Sequence, residues 1–99
     1  MTIEIKRNTE ETTIKLKGRL DTITAPALDK TINDDIADTK KLVLDLNDLE
    51  YISSAGLRVL LSAQKKFQKI GYMKVTNVCE EIMSVFEMTG FADILTIEQ

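Results

Sequence analysis

The run Leu42-Val43-Leu44-Asp45-Leu46 and, after a polar corner, Tyr51-Ile52-Ser53-Ser54-Ala55-Gly56-Leu57 together decide how this chain folds. The first run is short, apolar and without clean alternation, which predicts a strand buried on both faces in the middle of a sheet. The polar corner and the serines then read as loop and helix start. Beyond Ser54, Leu57, Leu60, Leu61, Phe67 and Ile70 fall on one helical stripe, widened by Val59 and Ala63. Arg58, Ser62, Lys65, Lys66 and Lys69 take the other side, with the lysines toward the C-terminal end, where the macrodipole favours cations. The spacing predicts an amphipathic helix of about four turns, with Gly71 as the usual glycine stop.

A helix start carries unpaired N–H groups and a partial positive charge, so it can hold an anion. Ser53 or Ser54 can serve there as an N-cap and nothing more. Alternatively, one hydroxyl is exposed at the tip of a rigid element and open to phosphorylation, with Gly56 leaving room for a partner's active site to approach. The residues leave both readings open.

Working outward, Ile3 and Ile5 alternate with polar neighbours, as do Ile14 and Leu16. Two half-buried strands joined through Asn8-Thr9-Glu10-Glu11 make an antiparallel hairpin. Thr24 is placed as an N-cap with Pro26 in the first turn, followed by a narrow stripe of Leu28, Ile32 and Ile36. Past the Ser54 helix, Met73, Val75 and Val78 predict a strand parallel to the Leu42 strand, reached by crossover. Ile82, Val85 and Phe86 predict a short helix stopped at Gly90, with Met83 and Met88 as core filler or an adaptable contact surface. Ile94-Leu95-Thr96-Ile97 reads as a last edge strand or an irregular ending. The fold class is α/β, a mixed sheet of four to five strands packed with helices.

Composition bounds the function. The 99 residues suit one compact domain, 1–99, and the 43% hydrophobic content is that of a globular chain. Acids outnumber bases 16 to 13, and the lysines are spread over several elements, which argues against a direct nucleic-acid partner. No apolar run approaches the roughly 18 residues of a membrane span, and Met1-Thr2-Ile3-Glu4-Ile5 lacks the layout of a signal peptide. The expectation is a cytoplasmic protein without membrane insertion. The single Cys79 cannot form an intrachain disulfide and reads as a small buried or half-buried filler rather than a low-pKa thiol at a helix start. With no histidine, Ser-His-Asp and Cys-His catalysis and the common His-containing metal sites are removed. Asp34-Asp35 and Glu80-Glu81 are adjacent pairs, which do not face each other on a helix. We therefore expect no catalytic residue, no metal and no cofactor of its own.

The segment from Ser53 to Leu61, Ser-Ser-Ala-Gly-Leu-Arg-Val-Leu-Leu, resembles the signature of the STAS domain family. Gly18-Arg19-Leu20-Asp21, Leu42 to Leu46 with Asn47-Asp48-Leu49, and Phe86-Glu87-Met88-Thr89-Gly90 extend the resemblance over essentially the whole chain. It implies a STAS-type fold and the role of a bacterial anti-sigma factor antagonist. Such proteins usually carry Asp-Ser-Ser-Gly-Leu or Asp-Ser-Thr-Gly-Leu, the first hydroxyl residue being the phosphorylation site. Matched on Gly56-Leu57, that hydroxyl is Ser54, while Ser53 stands at the Asp position and Ala55 at the second hydroxyl position. The resemblance further implies a docking face of Asp21, Thr24, Ser53, Gly56, Leu57 and Arg58, an anti-sigma factor serine kinase as partner, and a PP2C-type serine phosphatase that resets the switch. Arg58, four residues after Ser54, either reaches a phosphate there or is simply solvent-exposed. Other STAS proteins are constitutive cytoplasmic subunits of lipid or solute transporter complexes or stressosome-type scaffolds, so those roles stay open beside the antagonist.

Overall fold

The computed structural model describes residues 1–98, arranged as β1 (Thr2–Arg7), β2 (Thr12–Leu20), α1 (Ala25–Lys30), β3 (Lys41–Ile52), α2 (Ser54–Ile70), β4 (Tyr72–Thr76), α3 (Glu80–Thr89), α4 (Phe91–Ile94) and β5 (Ile97–Glu98). The strands form one sheet in the order β1-β2-β3-β4-β5. β1 and β2 are the expected antiparallel hairpin, and every other neighbouring pair is parallel. This is a mixed α/β sheet with β3 at its centre.

One side of the sheet holds the core. Ile14, Leu42, Leu44, Met73 and Val75 share a face, with Ile14 opposite Leu44, Leu42 opposite Met73 and Leu44 opposite Val75. All five are fully buried in the cluster that includes Leu28, Leu60, Phe67 and Phe86 from the helices. The other side is polar: the rows Glu4, Lys15, Asp45, Thr76 and Lys6, Thr13, Val43, Lys74 cross it. Val43 is buried but lies outside the core cluster. The Leu42 strand is therefore central, yet the expectation of burial on both faces is corrected. Helix-derived core covers one face, while Val43 is shielded among its cross-strand neighbours Thr13 and Lys74.

The predicted loop after Leu46 is instead the second half of β3. Register shifts against β2, between Lys15 and Lys17 and again between Gly18 and Arg19, absorb extra residues of β3. Each bulge changes which residue faces inward, so Leu46, Leu49 and Ile52 all reach the core although they are three apart. That spacing looks unlike a strand in the sequence.

Smaller departures have equally local causes. Ile36 is buried as predicted, but α1 widens into a π-helical turn over Thr31–Asp35 and Ile36 lies beyond it. On α2, Ile70 is 43% exposed, whereas Gln64 is buried and its Oε1 accepts from the Thr96 N–H at 3.2 Å. That bond satisfies a buried amide and ties the C-terminal segment to the helix. Gly71 does not end α2 in the left-handed conformation: its φ is 176°. Glycine is needed there for space, because a Cβ would lie 1.9 Å from the Lys40 carbonyl oxygen. Gly90, at φ +83°, is the left-handed stop expected of α3. At the C-terminus, Ile94 closes α4, Leu95 is buried, and only Ile97–Glu98 pair with β4. Met88 is 86% exposed rather than core filler.

Candidate functional site

The carboxyl ends of β2 and β3 lie side by side because the two strands are parallel, and this brings Asp21 beside Ser53. The Ser53 N–H donates to the Leu20 carbonyl at 2.9 Å, joining the two chain segments at the point where α2 begins.

Ser53 is the N-cap of α2. Its backbone is extended, at φ −97° and ψ 174°, and its Oγ accepts from the Gly56 N–H at 3.3 Å. Its carbonyl accepts from the Leu57 N–H at 2.9 Å, which starts the helical ladder. The two sequence readings thus fall to different serines. Ser53 is the cap, while Ser54 occupies the first helical position, is exposed, and has no side-chain hydrogen bond to the described residues. The Ser54 and Ala55 N–H groups have no intrahelical acceptor, as at any helix start. Removing the cap has a readable cost: Ser53→Ala should lower stability by about 1 kcal/mol, measured as a shifted urea midpoint with unchanged slope.

The facing turn is built by Asp21. Its Oδ1 accepts from the Ile23 and Thr24 N–H groups, each at 3.0 Å, and its carbonyl accepts from the Ala25 N–H at 2.8 Å. The Thr24 N–H, more than any other contact, holds the Asp21 carboxyl below the usual carboxylate range, with the Thr24 hydroxyl, the Ile23 N–H and Arg19 acting in the same direction. Thr24 sits at the N-cap position of α1 but does not cap it with its side chain, which corrects the expectation. Its Oγ1 accepts from the Asp21 N–H at 2.9 Å and lies 2.8 Å from the Arg19 carbonyl, to which it donates. The side chain is therefore turned back into the turn. Arg19 stacks over the Tyr51 ring at 4.1 Å and sets its Nε 3.9 Å from Asp21 Oδ2.

A shallow groove of about 340 Å³ separates α1 from α2, lined in part by Thr22, Ala25, Pro26, Ala55, Arg58 and Val59. It shows the turn and the start of α2 forming one continuous surface. Arg58 is exposed on that surface and has no ion-pair partner among the described residues.

Gly56 and Leu57 point the other way. A Cβ on Gly56 would sit 2.7 Å from Leu20 Cγ and 2.9 Å from Ile52 Cγ1, and Leu57 is 6% exposed. Gly56 therefore makes room for the core beneath the helix and not for a visitor above it. These two residues support the face from below and offer a partner no side chain. The sequence reading missed Ile23. It is 87% exposed at the tip of the Asp21 turn, held there by its own N–H bond to Asp21. An apolar residue between Thr22 and Thr24 in a turn is the signal that was available.

No helix among the described residues is long and apolar enough to cross a membrane, and among them no group of three or more His, Cys, Asp or Glu could hold a metal ion. Cys79 is half-buried, as expected, at the start of α3.

The STAS domain model matches residues 2–99. An anti-sigma-B factor antagonist of Listeria monocytogenes is 30% identical over 103 residues, covering 99% of this chain and 89% of the relative. One of Bacillus subtilis is 28% identical over 96 residues, covering 96% and 88%. The crystal structure of an anti-sigma factor antagonist from Mycobacterium paratuberculosis superposes with a TM-score of 0.87 at 26% identity, covering 97% of this chain and 83% of that one. The phosphorylated form of the Bacillus cell fate determinant SpoIIAA shares the fold, with a TM-score of 0.76 at 16% identity over 99% of this chain and 92% of that one. Sequence signature, sheet order and the capped serine pair lead to one assignment: the chain belongs to the STAS domain family.

Proposed function

We propose that this protein is an anti-sigma factor antagonist whose docking face is switched off by phosphorylation of Ser54. The observation that carries this reading is the division of labour between the two serines: Ser53 caps the helix, which leaves the Ser54 hydroxyl exposed and without a partner on a rigid element. The names of the relatives supply the partner class.

In the unmodified state, Asp21, Thr24, Ser53, Ser54 and Arg58 would form the polar part of the face, with Ile23 as its apolar contact. An anti-sigma serine kinase docks there and releases its sigma factor. The kinase then transfers the γ-phosphoryl group of its own magnesium-bound ATP to Ser54: Oγ bonds to phosphorus, the hydroxyl proton leaves and ADP departs. A PP2C-type phosphatase hydrolyses the ester and restores the face. The new group adds about −1.5 to −2 charges at a place where the free Ser54 and Ala55 N–H groups can accept it without refolding the helix. Arg58, one turn along, makes no ion pair among the described residues, although Asp29 lines the same groove, and would add a counter-charge.

The test is a pull-down from lysate of the native cell, with magnesium and ADP, using wild-type protein and Ser54→Asp as paired baits and identifying the captured proteins by mass. A small ATP-binding kinase recovered on wild type and strongly depleted on Ser54→Asp supports the switch. Equal recovery of a transporter ATPase on both baits would instead make Ser54 an inert helix residue and the protein a constitutive transporter subunit.

A further inference from the structure

β1 is a free edge of the sheet: β2 pairs with one side of it, and no described residue pairs with the other. Edge strands are usually kept from joining other sheets by proline, bulges, shortness or charged side chains, lysine above all. Of these, this edge has only the charges, on Glu4, Lys6 and Arg7. It is six residues long, contains no proline, and pairs with β2 in unbroken register from Thr2 to Arg7. Its charges are of both signs. Glu4 and Lys6 flank Ile5, both are exposed, and neither has an ion-pair partner among the described residues. Ile5 is 38% exposed on the face that carries Ile14, beyond the cover of the helices.

This pattern is self-complementary. When a second β1 lies antiparallel and centred on Ile5, Glu4 meets Lys6 of the second copy, Lys6 meets its Glu4, and the two Ile5 side chains meet. Centring on Glu4 or on Lys6 would set like charges directly opposite each other, which is unfavourable. Of these three registers, only the one centred on Ile5 sets opposite charges against each other. We propose that β1 is a self-docking edge, through which two copies of this chain join their sheets into one. The two-fold axis of such a pair stands along the sheet normal, so the helices of both copies lie on the same face. The carboxyl ends of the parallel strands then point to opposite ends of the dimer. Both Ser54 faces remain open, which makes this inference independent of the antagonist reading.

The test is sedimentation equilibrium of the full chain over a concentration series. Wild-type protein should rise toward twice the monomer mass. Glu4→Lys and Lys6→Glu should each weaken self-association by about tenfold or more, because each replaces attractive cross-strand pairs by repulsive ones. Mixing the two variants in equal amounts should restore the dimer, since one edge is then basic and the other acidic at the paired positions. Both positions are exposed, and unchanged circular dichroism verifies folding. A wild-type mass that stays monomeric at the highest attainable concentration overturns the proposal, as does dimerisation of both single variants with wild-type affinity.

Discussion

Gly71→Ala should lower the free energy of unfolding by about 3 kcal/mol. The added methyl group would fall 1.9 Å from the Lys40 carbonyl oxygen and 2.8 Å from its carbon. Neither atom belongs to a flexible side chain, so the backbone itself must shift. The same carbonyl accepts from the Tyr72 N–H at 3.0 Å, where β4 enters the sheet beside β3. Moving it away from Gly71 strains the bond that sets the register of Lys41 against Tyr72. The φ of 176° is extended and open to any residue, so the cost comes from proximity and not from the dihedral. Urea denaturation checks this, and Gly90→Ala is the contrasting control. A Cβ at Gly90 meets nothing within 4 Å, but φ is +83°, so the loss there should be only about 1 kcal/mol. A loss below that at Gly71 would mean that the helix end yields more easily than a close-packed backbone should.

Phosphorylated Ser54 should bind the anti-sigma kinase roughly 100-fold to 1000-fold more weakly than the unmodified protein, a change of about 3 to 4 kcal/mol. Taking the phosphate and its Arg58 counter-charge out of water at the interface costs several kcal/mol, which is enough for a penalty of that size. Stability should move in the other direction or not at all, because a negative charge at the start of a helix is favoured by the macrodipole. The pairing of these two outcomes is what a local electrostatic switch predicts and a phosphate-induced unfolding does not. Calorimetric titration gives the affinity and thermal unfolding gives the stability. Ser54→Ala should bind as the unmodified protein does and never switch off. An affinity loss under tenfold in the phosphorylated protein would place the docking surface elsewhere. The Asp21 turn should keep its form throughout, since its Oδ1 is already engaged by the Ile23 and Thr24 N–H groups.

Several elements could be read without coordinates because their signals are local. The hairpin of Ile3, Ile5, Ile14 and Leu16 follows from alternation, and α2 follows from a stripe that Leu57, Leu60, Ala63 and Phe67 bury as expected. The candidate phosphorylation residue was also legible, since the Ser-Ser-Ala-Gly-Leu run resembles a family signature. Other features depend on contacts between residues far apart in the chain. Leu49 and Ile52 become strand residues only because bulges opposite β2 turn them inward, and a period of three carries no strand signal by itself.

The amino-acid order determined the β1-β2 hairpin, the helices α1, α2 and α3 and the central place of the Leu42 strand, because hydrophobic periodicity and glycine positions act within a few residues. Only the tertiary structure decided which serine is the cap and which is free, for that turns on an extended Ser53 held by the Leu20 carbonyl of another strand. It also decided that Gly56 and Gly71 answer to space and not to conformation, since the atoms they avoid belong to Leu20, Ile52 and Lys40. Steric room and hydrogen-bond partners across the fold are properties of proximity in space, which adjacency in sequence does not encode.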